Sequence, residues 1–203
     1  IQGNMAATLA DCKFADGIYA NRLIDFVISE NIIDDFIRMG IVLEGNDLTT
    51  TGSCNGAAVN NNVVSNGHDA RGTESNRGIY AERSSALHPI IFSGNVVQDM
   101  DSGGITIQGG ILSGGAIFNC AEYGVTSTSG IIDGVDIYGC GYGAYLAASG
   151  SVSLRMSLRN CTIKDCTSGG VYIEEGKDGI EIANNFIEDN ELFGVYVEVP
   201  TNG

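Results

Sequence analysis

Hydrophobic and polar positions recur along this chain in a phrase that opens on glycine and then alternates. Gly17-Ile18-Tyr19-Ala20 returns at Gly40, Gly78, Gly104, Gly124, Gly143, Gly170 and Gly194, each time with Ile, Val or Ala next. A second phrase precedes it, centred on Ile33, Val64, Val97, Ile117, Ile137, Ile163 and Ile187, with Leu9 as an earlier member. Seven residues separate centre from glycine in five of these periods, six after Ile137 and fourteen after Val64. Two residues beyond each centre stand Asp11, Asp35, Asn66, Asp99, Asn119, Gly139, Asp165 and Asp189, types that tolerate a left-handed backbone and bond their own turns. The residues after them (Cys12, Phe36, Gly67, Met100, Cys120, Cys140, Cys166, Asn190) are mostly apolar and predict an inward column. A third short strand is predicted at residues 26–28, 90–92, 111–112, 131–132 and 180–182.

Side chains alternate across a strand, so the first and third positions after glycine face a core and the second and fourth face out. One outward column then holds Tyr19, Val42, Tyr80, Thr106, Thr126, Tyr145, Tyr172 and Tyr196. The other holds Asn21, Glu44, Glu82, Gln108, Thr128, Ala147, Glu174 and Glu198. Three strands in every 20 to 27 residues, with like stacked on like, describe an all-β solenoid. We read it as a single-stranded right-handed parallel β-helix of about eight coils, one domain over residues 1–203, with loop insertions at about 46–56 and 66–77. Neither end shows a capping element, so the segment is expected to belong to something longer or to be capped by assembly.

Composition agrees and narrows the function. Among 203 residues there are 29 Gly, and 23 Ile against 10 Leu, a recipe for short strands and tight turns rather than helices. The formal charge of −15 opposes phosphate backbones and anionic lipid surfaces, so neither nucleic acid nor membrane is an expected partner. Six cysteines without a CxxC pair give no zinc or dithiol motif, and buried free thiols are expected for Cys120, Cys140 and Cys166. No cofactor is expected. The acidic turns, Asp99 with Asp101 for instance, leave calcium open, although no Asp-rich loop has the ligand spacing it needs.

The glycine phrase, together with Asn-x-[Ile/Val]-x-[Asp/Asn] as in Asn185 to Asp189, resembles the repeats of the pectate-lyase-like right-handed parallel β-helix superfamily. The resemblance spans nearly the whole chain and lies nearest to bacteriophage tailspikes. It implies an extracellular or virion-borne protein directed at a bacterial surface or other extracellular polysaccharide, with a homotrimer by the same analogy. The catalytic signatures of pectate lyases, polygalacturonases and alginate epimerases are not recognisable here.

Chemistry is expected where the repeat is irregular, because insertions in solenoids collect on a binding face. His68, Asp69, Arg71, Glu74 and Arg77 fall within ten residues, followed by Tyr80, Glu82 and Arg83. Glu44 and Glu82 sit on neighbouring coils about 4.8 Å apart by strand spacing, close to the separation of acid and nucleophile in a retaining glycosidase. The catalytic candidates for a hydrolase are therefore Glu82 or Asp69 with Glu44 as partner. His68 is the base for a competing lyase chemistry. Arg71, Arg77 and Arg83, with Glu74, would hold the substrate, and Tyr80 would stack on a sugar ring. The rival reading is a structural or adhesive solenoid in which the Glu column is an exposed ladder and the tyrosines merely pack across strands.

Overall fold

In the computed structural model the chain winds as a right-handed parallel β-helix, described over residues 16–21, 23–44, 54, 56–68, 76–82, 89–147, 155–175 and 179–199. Every strand pairing in it is parallel. The glycine phrases form one face of eight stacked strands, running from Ile18–Asn21 through Arg77–Ala81 to Val195–Val197. The asparagine phrases form a separate sheet of seven, from Ile32–Phe36 to Phe186–Glu188. The third face also has seven rungs. In two coils it is continuous with the glycine face, because Gly103–Ser113 and Tyr123–Asp133 each run round the corner as one strand. Gly109, Gly110 and Gly130, all at positive φ, make those bends.

Several details depart from the sequence reading. Strands Ala58–Asn60 and Met156–Arg159 complete the third face where none was expected. The described coils number eight, as predicted. On the described strands, Arg77–Ala81 is followed on the third face by Ile91–Ser93, Tyr142–Leu146 by Met156–Arg159, and Gly169–Ile173 by Ile180–Ala183. The loop insertions expected at about 46–56 and 66–77 lie mostly outside the described residues.

The predicted turn column is left-handed throughout its described length: Asp35, Asn66, Asp99, Asn119, Gly139, Asp165 and Asp189 have φ between 52° and 63°. A second such column, at Glu30, Asn61, Gly94, Gly114, Gly134, Asn160 and Asn184, closes the corner between the third and asparagine faces. Just inside it runs an asparagine ladder. Asn62 is fully buried; its Oδ1 accepts from the Asn31 amide and side chain, and its Nδ2 donates to the Ile28 carbonyl and to Asn95 Oδ1. Asn95 repeats the pattern by donating to the Val59 carbonyl. Buried backbone groups that the turn leaves unpaired are satisfied this way, rung after rung.

Core packing explains the glycine of the phrase. At Gly104 an added Cβ would lie 2.5 Å from the Gly124 carbonyl oxygen and 2.6 Å from Ile117, so glycine and the residue after it both face inward. Ile41, Ile79, Ile105, Val125, Ala144 and Val171 stack behind it as a buried column. Cys120, Cys140 and Cys166 are buried free thiols, as expected, joined by Cys54 and Cys161. Burial pushes the Cys166 thiol up to about 12. Cys12 lies outside the described residues.

Candidate functional site

The expected hydrolase pair stands at the ends of adjacent strands. Glu82 follows Arg77–Ala81, and its amide still donates to the Leu43 carbonyl at 2.9 Å, which keeps it beside Glu44. Glu44 accepts a 2.6 Å bond from the Tyr19 hydroxyl, which raises the Tyr19 phenol above its ordinary range. Tyr80 is partly buried; its phenol is raised by desolvation and then by the charge of Glu82. Arg77 lies with its guanidinium 5.6 Å from the centre of the Tyr80 ring. Glu44, Glu82, Tyr80 and Arg77 are thus near neighbours on one face. Asp69, Arg71, Glu74 and Arg83 lie outside the described residues.

His68 is not with them. It sits at the far end of strand Arg77–Ala81, about 16 Å along the chain direction from Glu82, at the corner of the left-handed turns. Its Nδ1 is 3.6 Å from Asp101 and its Nε2 4.0 Å from Asp35. There it lines a shallow cleft of about 440 Å³ with Asn66, Asp99, Asn119 and Thr167. Asp99 in that cleft is already bonded by Asn119 and Gln98. Among the described residues no group of three or more His, Cys, Asp or Glu converges as a calcium site would require.

The outward tyrosine column needs one correction: Val42 and Thr106 are buried, at 0 % and 7 % exposure, not turned to solvent. Each adjoins Tyr80 in register, so a tyrosine ring lies between the two. Beyond Thr126 the column becomes a stack. Tyr145 and Tyr172 lie 5.1 Å apart with planes 4° from parallel, and Tyr196 continues at 5.3 Å.

Beside this row stands a second one that alternation does not predict. Tyr123 and Tyr142 stack at 5.8 Å, and Phe193 meets both Tyr142 (6.1 Å) and Tyr196 (5.4 Å). All three immediately precede a repeat glycine. Because that glycine and its successor both face inward, the residue before glycine is turned outward, onto the side that carries the tyrosine column. Gly169, at the same register position as Tyr142, leaves room for Phe193: a Cβ there would lie 2.4 Å from its ring. The two rows are inclined, Tyr123 to Tyr145 by 56° and Tyr142 to Tyr172 by 66°, so the patch presents ring faces as well as edges.

Six aromatic rings over four strands therefore cover roughly 14 Å along the solenoid axis, on the outside of the sheet, each at least partly open to solvent. Two carboxylates border them. Glu198 bonds the Tyr172 hydroxyl and accepts from the Glu175 amide at 3.2 Å, and Glu174 lies near enough to Tyr145 to raise it. Desolvation comes first and these carboxylates second in pushing both phenols up to about 12. The folded protein holds their protons more tightly than the unfolded chain, whose tyrosines titrate near 10. Stability from this source is complete below about pH 10 and is lost as pH rises toward 12. Phenolate absorbance that develops near pH 12 should therefore be smaller in Tyr145→Phe/Tyr172→Phe.

No curated protein and no solved structure matches the chain. A family model described as the right handed beta helix region matches residues 124–202, the stretch that holds five of the six rings and whose fold agrees with that description.

Proposed function

We propose that this β-helix binds a polysaccharide across the outer face of its glycine-phrase strands, with the six-ring patch as the contact surface. One observation carries the reading: six aromatic side chains cluster outside the core on four successive strands, where packing of the interior does not require them. Contiguous exposed aromatic surface marks a recognition site. Tyrosine suits a sugar because its ring meets the apolar face of a pyranose while its hydroxyl bonds the sugar hydroxyls. Strand pairing also holds the rings at fixed spacing, so little ordering is left to oppose binding. The ligand class is a bacterial surface or other extracellular glycan, and the setting an extracellular or virion-borne protein of tailspike type, supported by the β-helix and the acidic charge.

Cleavage is a second reading, favoured by the adjacency of Glu44 and Glu82, with Tyr80 two residues before Glu82 on the strand that Glu82 follows. It would use them as acid and nucleophile. A lyase reaction based on His68 would occupy the separate cleft.

Affinity electrophoresis against bacterial capsular and lipopolysaccharide glycans tests these readings together. Retention should weaken about tenfold or more in Tyr145→Ala/Tyr172→Ala, since stacked aromatic contacts are each worth about 1 kcal/mol. New reducing ends that vanish in Glu82→Gln would establish a hydrolase, and unsaturated uronates that vanish in His68→Ala a lyase. Absence of retention across the panel would overturn the binding reading in favour of a structural solenoid.

A further inference from the structure

The charge around the aromatic patch specifies which glycan it would take, an inference that rests on the polysaccharide-binding reading. We propose that the patch selects glycans carrying protonated amino sugars and discriminates against uronates. Glu174 and Glu198 follow the strands of Tyr172 and Tyr196, their amides donating to the Leu146 and Ile173 carbonyls at 3.0 and 2.9 Å, and the Glu198 carboxylate accepts from the Glu175 amide, so both acidic residues stand at the margin of the rings. An ammonium group is attracted both to these carboxylates and to the electron-rich faces of the inclined tyrosines. A uronate would bring a third negative charge to the same place.

The described cations that could reverse this preference are engaged elsewhere. Arg38 bonds Asp16 at 2.8 Å, Arg159 bonds Asp133 at 3.1 Å, Lys164 is paired with Glu188, and Arg77 rests on Tyr80. Arg155, next to strand Met156–Arg159, belongs to the third face and not to the aromatic one. Arg77, one of the arginines expected to hold a substrate, stands on the third of the eight glycine-face strands, outside the four that carry the rings. The phenols of Tyr145 and Tyr172, held protonated far above neutrality, add no negative charge of their own and remain hydrogen-bond donors.

Calorimetry with three oligosaccharides of equal length tests the selection: β-linked glucosamine with protonated amines, its N-acetylated counterpart, and galacturonate. Glucosamine should bind about tenfold more tightly than the acetylated oligomer, the ratio that one favourable cation–π and carboxylate contact supplies, and galacturonate should not bind measurably. Glu174→Gln/Glu198→Gln should reduce glucosamine to the affinity of the acetylated form, and Tyr145→Ala/Tyr172→Ala should weaken both. Equal affinity for amine and acetamide would overturn the selection and leave polysaccharide binding intact. Glucosamine binding indifferent to the tyrosine variant would be general attraction to an acidic protein, and would also overturn it. Failure of all three oligomers, with retention on the bacterial panel, would dispose of the selection alone; failure on the panel as well would dispose of both.

Discussion

Gly124→Ala should cost about 3 kcal/mol or more of stability, a loss that urea unfolding would read as a large drop in midpoint. The added Cβ would lie 2.5 Å from Ile137 Cγ2 and 2.7 Å from the Gly143 carbonyl oxygen. The isoleucine methyl could yield a little. The carbonyl cannot, because it belongs to the next coil, whose strand is held by the pairings of Val125 with Ala144 and Thr126 with Tyr145. Overpacking in a rigid core typically costs 1–3 kcal/mol, and a backbone contact of this kind lies at or above the top of that range. Gly134→Ala separates sterics from conformation. Gly134 has φ 66° and nothing nearer to its Cβ position than the Gly114 nitrogen at 4.0 Å, so only left-handed strain of about 1 kcal/mol applies. Equal losses at the two sites would contradict the close-packing account of the glycine phrase.

Asn62→Ala is the second large effect, again about 3 kcal/mol. The substitution removes both side-chain bonds to Asn31's amide groups, the bond to the Ile28 carbonyl and the bond to Asn95, all inside or bordering the core. A buried group left without a partner costs about 1–3 kcal/mol, and the Ile28 carbonyl and part of Asn95 would be left so. Asn119→Ala provides the comparison, since its amide bonds Asp99 in the open at 3.0 Å. That change should cost about 1 kcal/mol, mostly from its left-handed backbone. Hydrogen exchange should localise the Asn62→Ala loss to the coils around residues 28–31, 59–62 and 92–95, as expected where each coil contacts its neighbours.

Much of the architecture was legible because stacking forces like onto like. The eight glycines marked one face, and the Asp and Asn column marked one set of turns, each through a residue type with a single physical reason to recur. The second set of turns was harder to see. Glu30, Asn61, Gly94, Gly114, Gly134, Asn160 and Asn184 share a backbone conformation but not a residue type. The asparagines at 31, 62, 95 and 185 were visible as a motif, yet their role emerges only when Asn62 is found bonding across two coils.

The site was less legible, for a specific reason. Counting alternation from the glycine places the preceding residue inward, whereas the strand turns two successive residues, the glycine and its follower, toward the core. Alternation therefore omits Tyr123, Tyr142 and Phe193 from the outward face and predicts a single interrupted aromatic column. The recurring pair of an aromatic residue followed by the repeat glycine is the signal that would have found them. The charged residues around the 66–77 insertion are the more conspicuous feature of the sequence. The fold does keep Glu44, Glu82, Tyr80 and Arg77 together, but it sends His68 to another corner.

Hydroxyl-radical footprinting with and without a retained bacterial glycan tests the central claim most directly, because tyrosine and phenylalanine report their own solvent access. Protection confined to Tyr123, Tyr142, Tyr145, Tyr172, Phe193 and Tyr196, with Tyr19 and Tyr138 unchanged, is the predicted result. Protection centred on His68 and the turn cleft, or on Tyr80 with the six rings still fully reactive, would contradict it.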